Sequence, residues 1–162
     1  MSRVLIISAT KGSNFVLSKN LGALLNCKNK IITLEDFVMP LYTPELDKYD
    51  KSVLKTLSEE FISSDGLIFC APEYNGGSPP ILTNTITWLS VSTSNWRDAF
   101  LNKKTLIASH SGGAGFRFLS TFRVQLEHLG AVVYPRNIIV NSSQKFNKHS
   151  AQKVLNGFMD LL

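Results

Sequence analysis

"DGLIFCAPEYNGGSPPILTNTITWLS" (Asp65 to Ser90) joins three kinds of sequence in one stretch. The run from Gly66 to Cys70 is apolar without alternation, which reads as a strand covered on both faces. A polar, glycine-containing loop comes next, and then a segment of helical character that opens on Pro79 and Pro80. Proline suits the first helical turn, where a missing N–H leaves nothing unpaired. A buried strand, a loop and a helix make the first half of a crossover unit, and crossovers imply parallel strands.

The rest of the chain repeats this grammar. Four further apolar runs rich in β-branched residues stand out: "RVLIIS" (Arg3 to Ser8), "KIITL" (Lys30 to Leu34), "TLIASH" (Thr105 to His110) and "VVYPRNIIV" (Val132 to Val140). Segments of helical period lie between and after them. Leu17, Leu21 and Leu24 share one face, as do Val53, Leu57 and Phe61, then Leu119, Phe122, Leu126 and Leu129, and finally Val154, Phe158 and Leu161. Strand and helix alternate throughout, so the fold class is α/β, with a five-stranded parallel sheet flanked by helices. The sequence carries no internal repeat, linker or low-complexity tract, and its 162 residues suit one domain.

Composition narrows the function classes. No apolar run approaches the roughly 20 residues needed to cross a bilayer, and "MSRVLIISAT" lacks the cleavage pattern of a signal peptide, so the expected location is cytoplasmic, without membrane partners. Cys27 and Cys70 form neither a CxxC motif nor a zinc spacing, and no metal is expected. The net charge of +5 is carried by the C-terminal part, where nine Lys/Arg face three Asp/Glu from Arg97 onward. These charges are scattered, without aromatic interleaving, which reads as a solvated surface rather than a nucleic-acid footprint.

In an open parallel sheet, ligands bind beyond the carboxyl ends of the strands. There the sequence places "SATKGSN" (Ser8 to Asn14), "APEYNGGSPP" (Ala71 to Pro80) and "SHSGGAGF" (Ser109 to Phe116), three loops of small, polar and glycine residues. The first leads into a helix whose free N–H groups suit a phosphate, with Ser8, Thr10, Ser13 and Asn14 as added ligands and Lys11 as a charge. Taken alone, this loop favours a plain helix cap at Ser13 or Asn14, since it carries neither GxxxxGK(S/T) nor GxGxxG. In the second, Gly76 and Gly77 allow close approach of a flat ligand, while turn chemistry rivals a binding role for Glu73 and Asn75. In the third, Gly112, Gly113 and Gly115 expose backbone N–H groups. His110 is a candidate acid or base by residue type, with a structural role as the favoured rival.

With these residues laid out, the chain resembles the NADPH-dependent FMN reductase family of flavodoxin-like proteins. The strongest part is "PEYNGGSPPILTNTITWLS", with Asn84, Ile86, Trp88, Leu89 and Ser90 in step. "LEDFVMPLYTPEL" (Leu34 to Leu46), "SGGAGF" and "LGAVVYP" (Leu129 to Pro135) add to it. The resemblance implies a flavodoxin-like three-layer sandwich, strand order 2-1-3-4-5, in a single FMN-binding domain over residues 1–162. It places the FMN phosphate at Ser8, Thr10, Ser13 and Asn14, with Lys11 nearby. It places the isoalloxazine along Pro72, Glu73, Tyr74, Asn75 and Gly76, flanked by the turn from Ser111 through Gly112 to Gly113. The family's loop arginine is replaced by Thr10; Ala71 and Pro80 also depart from its pattern.

The same resemblance implies an oxidoreductase in which NADPH or NADH reduces bound FMN, and FMN reduces a small acceptor such as a quinone, azo compound, flavin or metal oxyanion. No side chain is then needed as nucleophile or base, and the family implies a homodimer or homotetramer. Two rivals remain, a flavodoxin-type electron carrier and a redox-silent binding module. A pI near 9.3 argues against the carrier, since flavodoxins are usually acidic.

Overall fold

The central strands alternate their apolar side chains between two apolar layers, although the runs do not alternate apolar with polar residues. The computed structural model describes residues 2–46 and 51–162. In β1 (Arg3–Ser8), Leu5 and Ile7 enter one core while Val4 and Ile6 enter the other. In β3 (Gly66–Cys70), Leu67 and Phe69 join the first core, and Ile68 and Cys70 the second. This period of two is what a doubly covered sheet requires.

Helices α1 (Ser13–Gly22) and α5 (Lys148–Met159) cover one face through Leu17, Leu21, Val154, Leu155 and Phe158. Helices α2 (Ser52–Ile62), α3 (Pro80–Ser92) and α4 (Phe116–His128) cover the other, over a larger core that holds Phe61, Phe69, Phe100, Phe118 and Phe122. Fully burying such a side chain contributes about 1.5–3 kcal/mol. The architecture is the expected three-layer sandwich.

All strand pairs are parallel. β2 (Lys28–Thr33), β1, β3 and β4 (Lys104–His110) run in the order 2-1-3-4, with Leu5 opposite both Lys30 and Leu67, and Leu67 opposite Thr105. The fifth position departs from the expected single strand. It holds two short strands, β5 (Val132–Val133) and β6 (Ile138–Val140), both paired with β4. Pro135 has no N–H to give the ladder. Arg123 of α4 serves the interruption, donating from Nη2 to the Tyr134 carbonyl at 2.8 Å.

Two helical faces also differ by one residue from the expected pattern. In α2 Leu54 is buried beside the expected Leu57 and Phe61 while Val53 is only half-buried, and in α5 Leu155 joins the expected Val154 and Phe158, whereas Leu161 is 42% exposed beyond the helix end. A helix packed over a twisted sheet buries a stripe wider than a single i, i+4 row.

Candidate functional site

The three polar loops leave the sheet side by side. Backbone hydrogen bonds continue one residue past each strand: Ala9 N–H to the Cys70 carbonyl at 2.9 Å, Ala71 N–H to the Ala108 carbonyl at 3.1 Å, and Ser111 N–H to the Val140 carbonyl at 3.1 Å. The loops therefore open at one level, on the carboxyl edge of β1, β3 and β4.

Two side chains then stitch the loops together. Asn14, at the start of α1 and 2% exposed, donates from Nδ2 to the His110 carbonyl at 2.8 Å and accepts the His110 N–H at Oδ1, 2.9 Å. Both halves of its amide are thus engaged across the sheet. Glu73 does the same for the other pair of loops. Its Oε2 accepts the Phe118 N–H at 3.0 Å, in the first turn of α4, and its own N–H reaches Ser111 Oγ at 2.8 Å. A carboxylate at a helix N-terminus is favourably placed against the dipole. Ser111 Oγ also bonds Ser109 Oγ at 2.9 Å.

The remaining loop groups divide between buried and outward-facing. Ser8 is buried and donates to the Thr10 carbonyl at 2.7 Å, while Thr10 is half-buried and Ser13 exposed. The N-cap of α1 is Gly12, φ 86°, with no side chain capping the helix. Its first N–H groups are therefore open to an anion. Pro72 is buried under the second loop. Beyond it, Tyr74 and Gly77 exchange both backbone hydrogen bonds, at 3.0 and 2.9 Å, around Asn75 and Gly76. With φ of 51° and 75° at these two residues, the loop is a two-residue hairpin turn with both central residues left-handed, the conformation for which Asn-Gly is favoured. Asn75 and Tyr74 are exposed at its tip.

The glycines test whether a flat ligand fits. A Cβ added to Gly112 or Gly113 would meet no atom within 4 Å, and the same holds at Gly12. These positions border open space on two sides of the cradle. An uncapped helix end, the exposed hairpin and the open turn from Ser111 to Gly113 offer phosphate-type and ring-type contacts in one place, so the residues present fit FMN.

The one cation of the first loop is already paired. Lys11 Nζ pairs with Asp36 Oδ1 at 2.8 Å, both side chains being well exposed, and that hydrogen bond and charge raise the Lys11 pKa above its ordinary value. Lys11 N–H donates to Glu35 Oε2 at 2.7 Å. Glu35 and Asp36 lie on a single 3-10 turn, η1 (Leu34–Asp36), directly after β2. Neither is among the site residues expected from the sequence. Their signal is position, since an acidic pair closing a strand of a parallel sheet emerges on the same edge as the ligand loops. Arg117 is a further addition to the expected set; its Cδ lies 3.1 Å from where a Gly76 Cβ would be, so its stem rests on the hairpin.

Burial pushes the Cys70 thiol up to about 12, so it plays the part of a small core residue, with Ser18 as its hydrogen-bond partner. Among the described residues no group of three or more His, Cys, Asp or Glu is placed to hold a metal, and no helix is long and apolar enough to cross a membrane.

Comparison with known proteins accords with this geometry. Over 124 residues the chain is 27% identical to a 2-hydroxy-1,4-benzoquinone reductase of a Burkholderia species, covering 74% of this chain and 64% of that protein. It is 26% identical over 105 residues to an NADPH azoreductase of Bacillus sp. (strain OY1-2), covering 64% and 56%. The matches thus span less than two thirds of the length of these relatives. FerB, a flavoenzyme NAD(P)H:(acceptor) oxidoreductase from Paracoccus denitrificans, superimposes with a TM-score of 0.82 over 99% of this chain and 97% of its own, at 18% identity, a likeness of fold. Residues 2–145 match the model of the NADPH-dependent FMN reductases, and this chain belongs to that family.

Proposed function

We propose that this chain is an FMN-dependent oxidoreductase that takes electrons from NADPH or NADH and passes them to a small acceptor: a quinone, an azo compound, a flavin or a metal oxyanion. The observation that carries this reading is the three-loop cradle, stitched by Asn14 and Glu73 and open at the α1 N-terminus, the Asn75–Gly76 hairpin and the Ser111–Gly113 turn. Bound FMN supplies the redox chemistry, accepting hydride from the nicotinamide and releasing electrons to the acceptor.

The chain's own residues bind and orient. The first-turn amides of α1, with Thr10 and Ser13, face the phosphate end. The hairpin and the Ser111–Gly113 turn border the ring, with backbone N–H groups positioned to stabilise negative charge that develops on it. Arg117, whose stem rests on the hairpin, brings a positive charge to the rim for an anionic dinucleotide. Donor and acceptor then use one open face in turn, in ping-pong order.

Anaerobic mixing of the FMN-loaded chain with NADPH and with NADH, separately, tests this. Flavin absorbance bleaches with at least one donor and no other protein. A flavin that stays oxidised until a separate reductase is added would make the chain a carrier, and failure to take up flavin would leave a redox-silent module.

The working unit is a cytoplasmic homodimer or homotetramer. Val38, Leu41 and Phe116 stand 80%, 77% and 66% exposed, an amount of large apolar surface that a partner copy would cover. Sedimentation of the purified chain reads its mass in solution, and a monomer at all concentrations would overturn this assignment.

A further inference from the structure

Helix α4 begins without a cap of its own. Its N-cap is Gly115, at φ 68°, which has no side chain to offer the first turn. An N-cap side chain ordinarily accepts the N–H of the second or third helical residue. Here the third, Phe118, gives its N–H to Glu73 Oε2 at 3.0 Å, from a loop 45 residues earlier in the chain. The cap is supplied from across the cradle. A Cβ on Gly115 would lie 3.1 Å from Ser109 Oγ, so contact as well as φ calls for glycine there. That Ser109 hydroxyl bonds Ser111 Oγ, which takes the Glu73 N–H. Glu73 is thus tied to the third loop and α4 through both its backbone and its carboxylate.

What this arrangement holds is Arg117, the residue before Phe118. Its Cδ lies 3.1 Å from a Cβ built on Gly76, so the side chain crosses to the hairpin that Glu73 leads into. Arg3, Lys11, Lys30 and Arg123 each pair with a carboxylate, whereas Arg117 makes no ion pair among the described residues. Its charge is left for a ligand. Tyr74, on the same hairpin, is 49% exposed and adds an aromatic surface. A guanidinium fixed near an exposed ring suits a flat molecule that carries a negative charge.

We propose that Glu73 is a positioning residue: it caps α4 from across the cradle and so holds Arg117 at the hairpin, where the guanidinium selects flat aromatic anions over neutral rings as electron acceptors. Arg117 is the specificity-determining residue, and Glu73 acts through it. Donor and acceptor use one face in turn, so the charge that meets an anionic dinucleotide in one half-reaction meets the acceptor in the other. The inference rests on the proposed flavin-dependent reduction, and deepens it by naming the charge of the acceptor.

Benzenesulfonate and methyl phenyl sulfone share a ring and differ in charge, and serve as unreactive probes. Their binding to the FMN-loaded chain is read from the perturbation of flavin absorbance, without turnover. The wild type binds the sulfonate about three- to tenfold more tightly at low ionic strength, and salt erodes the difference. Arg117→Gln loses the preference. Glu73→Ala loses it too, although removal of a carboxylate by charge alone favours an anion; a displaced Arg117 accounts for that sign. Glu73→Gln keeps an amide oxygen for the Phe118 N–H and retains the preference.

Equal binding of the two probes by the wild type, binding of neither, or a preference that survives Arg117→Gln would overturn the proposal. So would a wild-type preference in Glu73→Ala, or its loss in Glu73→Gln. Where Glu73→Ala does not fold, the Arg117→Gln and Glu73→Gln results decide. If the wild type takes up no FMN, the flavin reading itself fails, an outcome distinct from all of these.

Discussion

Asn75 has a left-handed backbone, φ 51°, that most side chains avoid and that Asn tolerates. Its presence is therefore accounted for by the hairpin alone, and only a substitution that respects the turn can reveal a second role. Asn75→Gly does so, since glycine populates the left-handed region freely. We expect its melting midpoint to stay close to wild type and its FMN affinity to fall about three- to tenfold, the worth of one hydrogen bond. Thermal melts and flavin titration check the two halves separately, and unchanged affinity would reduce Asn75 to a turn former. Asn14 and Glu73 show the limit of reading single residues. Their chemistry as hydrogen-bonding groups was legible, but their partners lie 96 and 45 residues away in the chain. Side-chain type names what a group can bond, whereas direction is set by the loop packed opposite, which no local pattern encodes.

At the scale of elements, the parallel sheet and its helices were legible because buried strands and amphipathic helices differ in period and length. The fifth strand was only half legible. "VVYPRNIIV" has the composition of a strand at both ends, and Pro135 between them was the signal for the break. The segment after β2 is the clearest case where family resemblance and physical role part. Asn84 and Trp88, in step with the family's motif beside the ring-binding loop, both donate to the Pro40 carbonyl, at 2.9 and 2.8 Å. Asn84 Oδ1 also accepts the Tyr42 N–H, and the Tyr42 ring meets Trp88 edge-on at 5.2 Å. Helix α3 thus fixes the connection that runs on from Glu35 and Asp36. The tryptophan is a fastener, in keeping with a packing role rather than cofactor stacking.

At the scale of the whole molecule, burial gives stability an alkaline limit. The Cys70 thiol is raised from 9.0 to about 12 in the fold because burial disfavours its thiolate. Its contribution is therefore complete below pH 9.0 and is lost as pH rises from there toward 12, since the unfolded chain ionises first. Urea titrations of wild type and Cys70→Ala at a series of pH values from neutral upward check this. The wild type loses stability more steeply above pH 9.0 than the variant, in which the other alkaline groups are unchanged; parallel curves would show that the thiol does not contribute.

The interrupted fifth strand has a further consequence for crowding. One margin of the sheet is split into pieces of two and three residues around Pro135, and the other, β2, presents Lys28 and Lys30. Neither margin offers a neighbouring chain a long, neutral row of free peptide groups to zip onto. Copies of this chain that meet at high concentration are thereby steered away from strand-to-strand growth, which leaves their helices and loops as the ground for orderly contact.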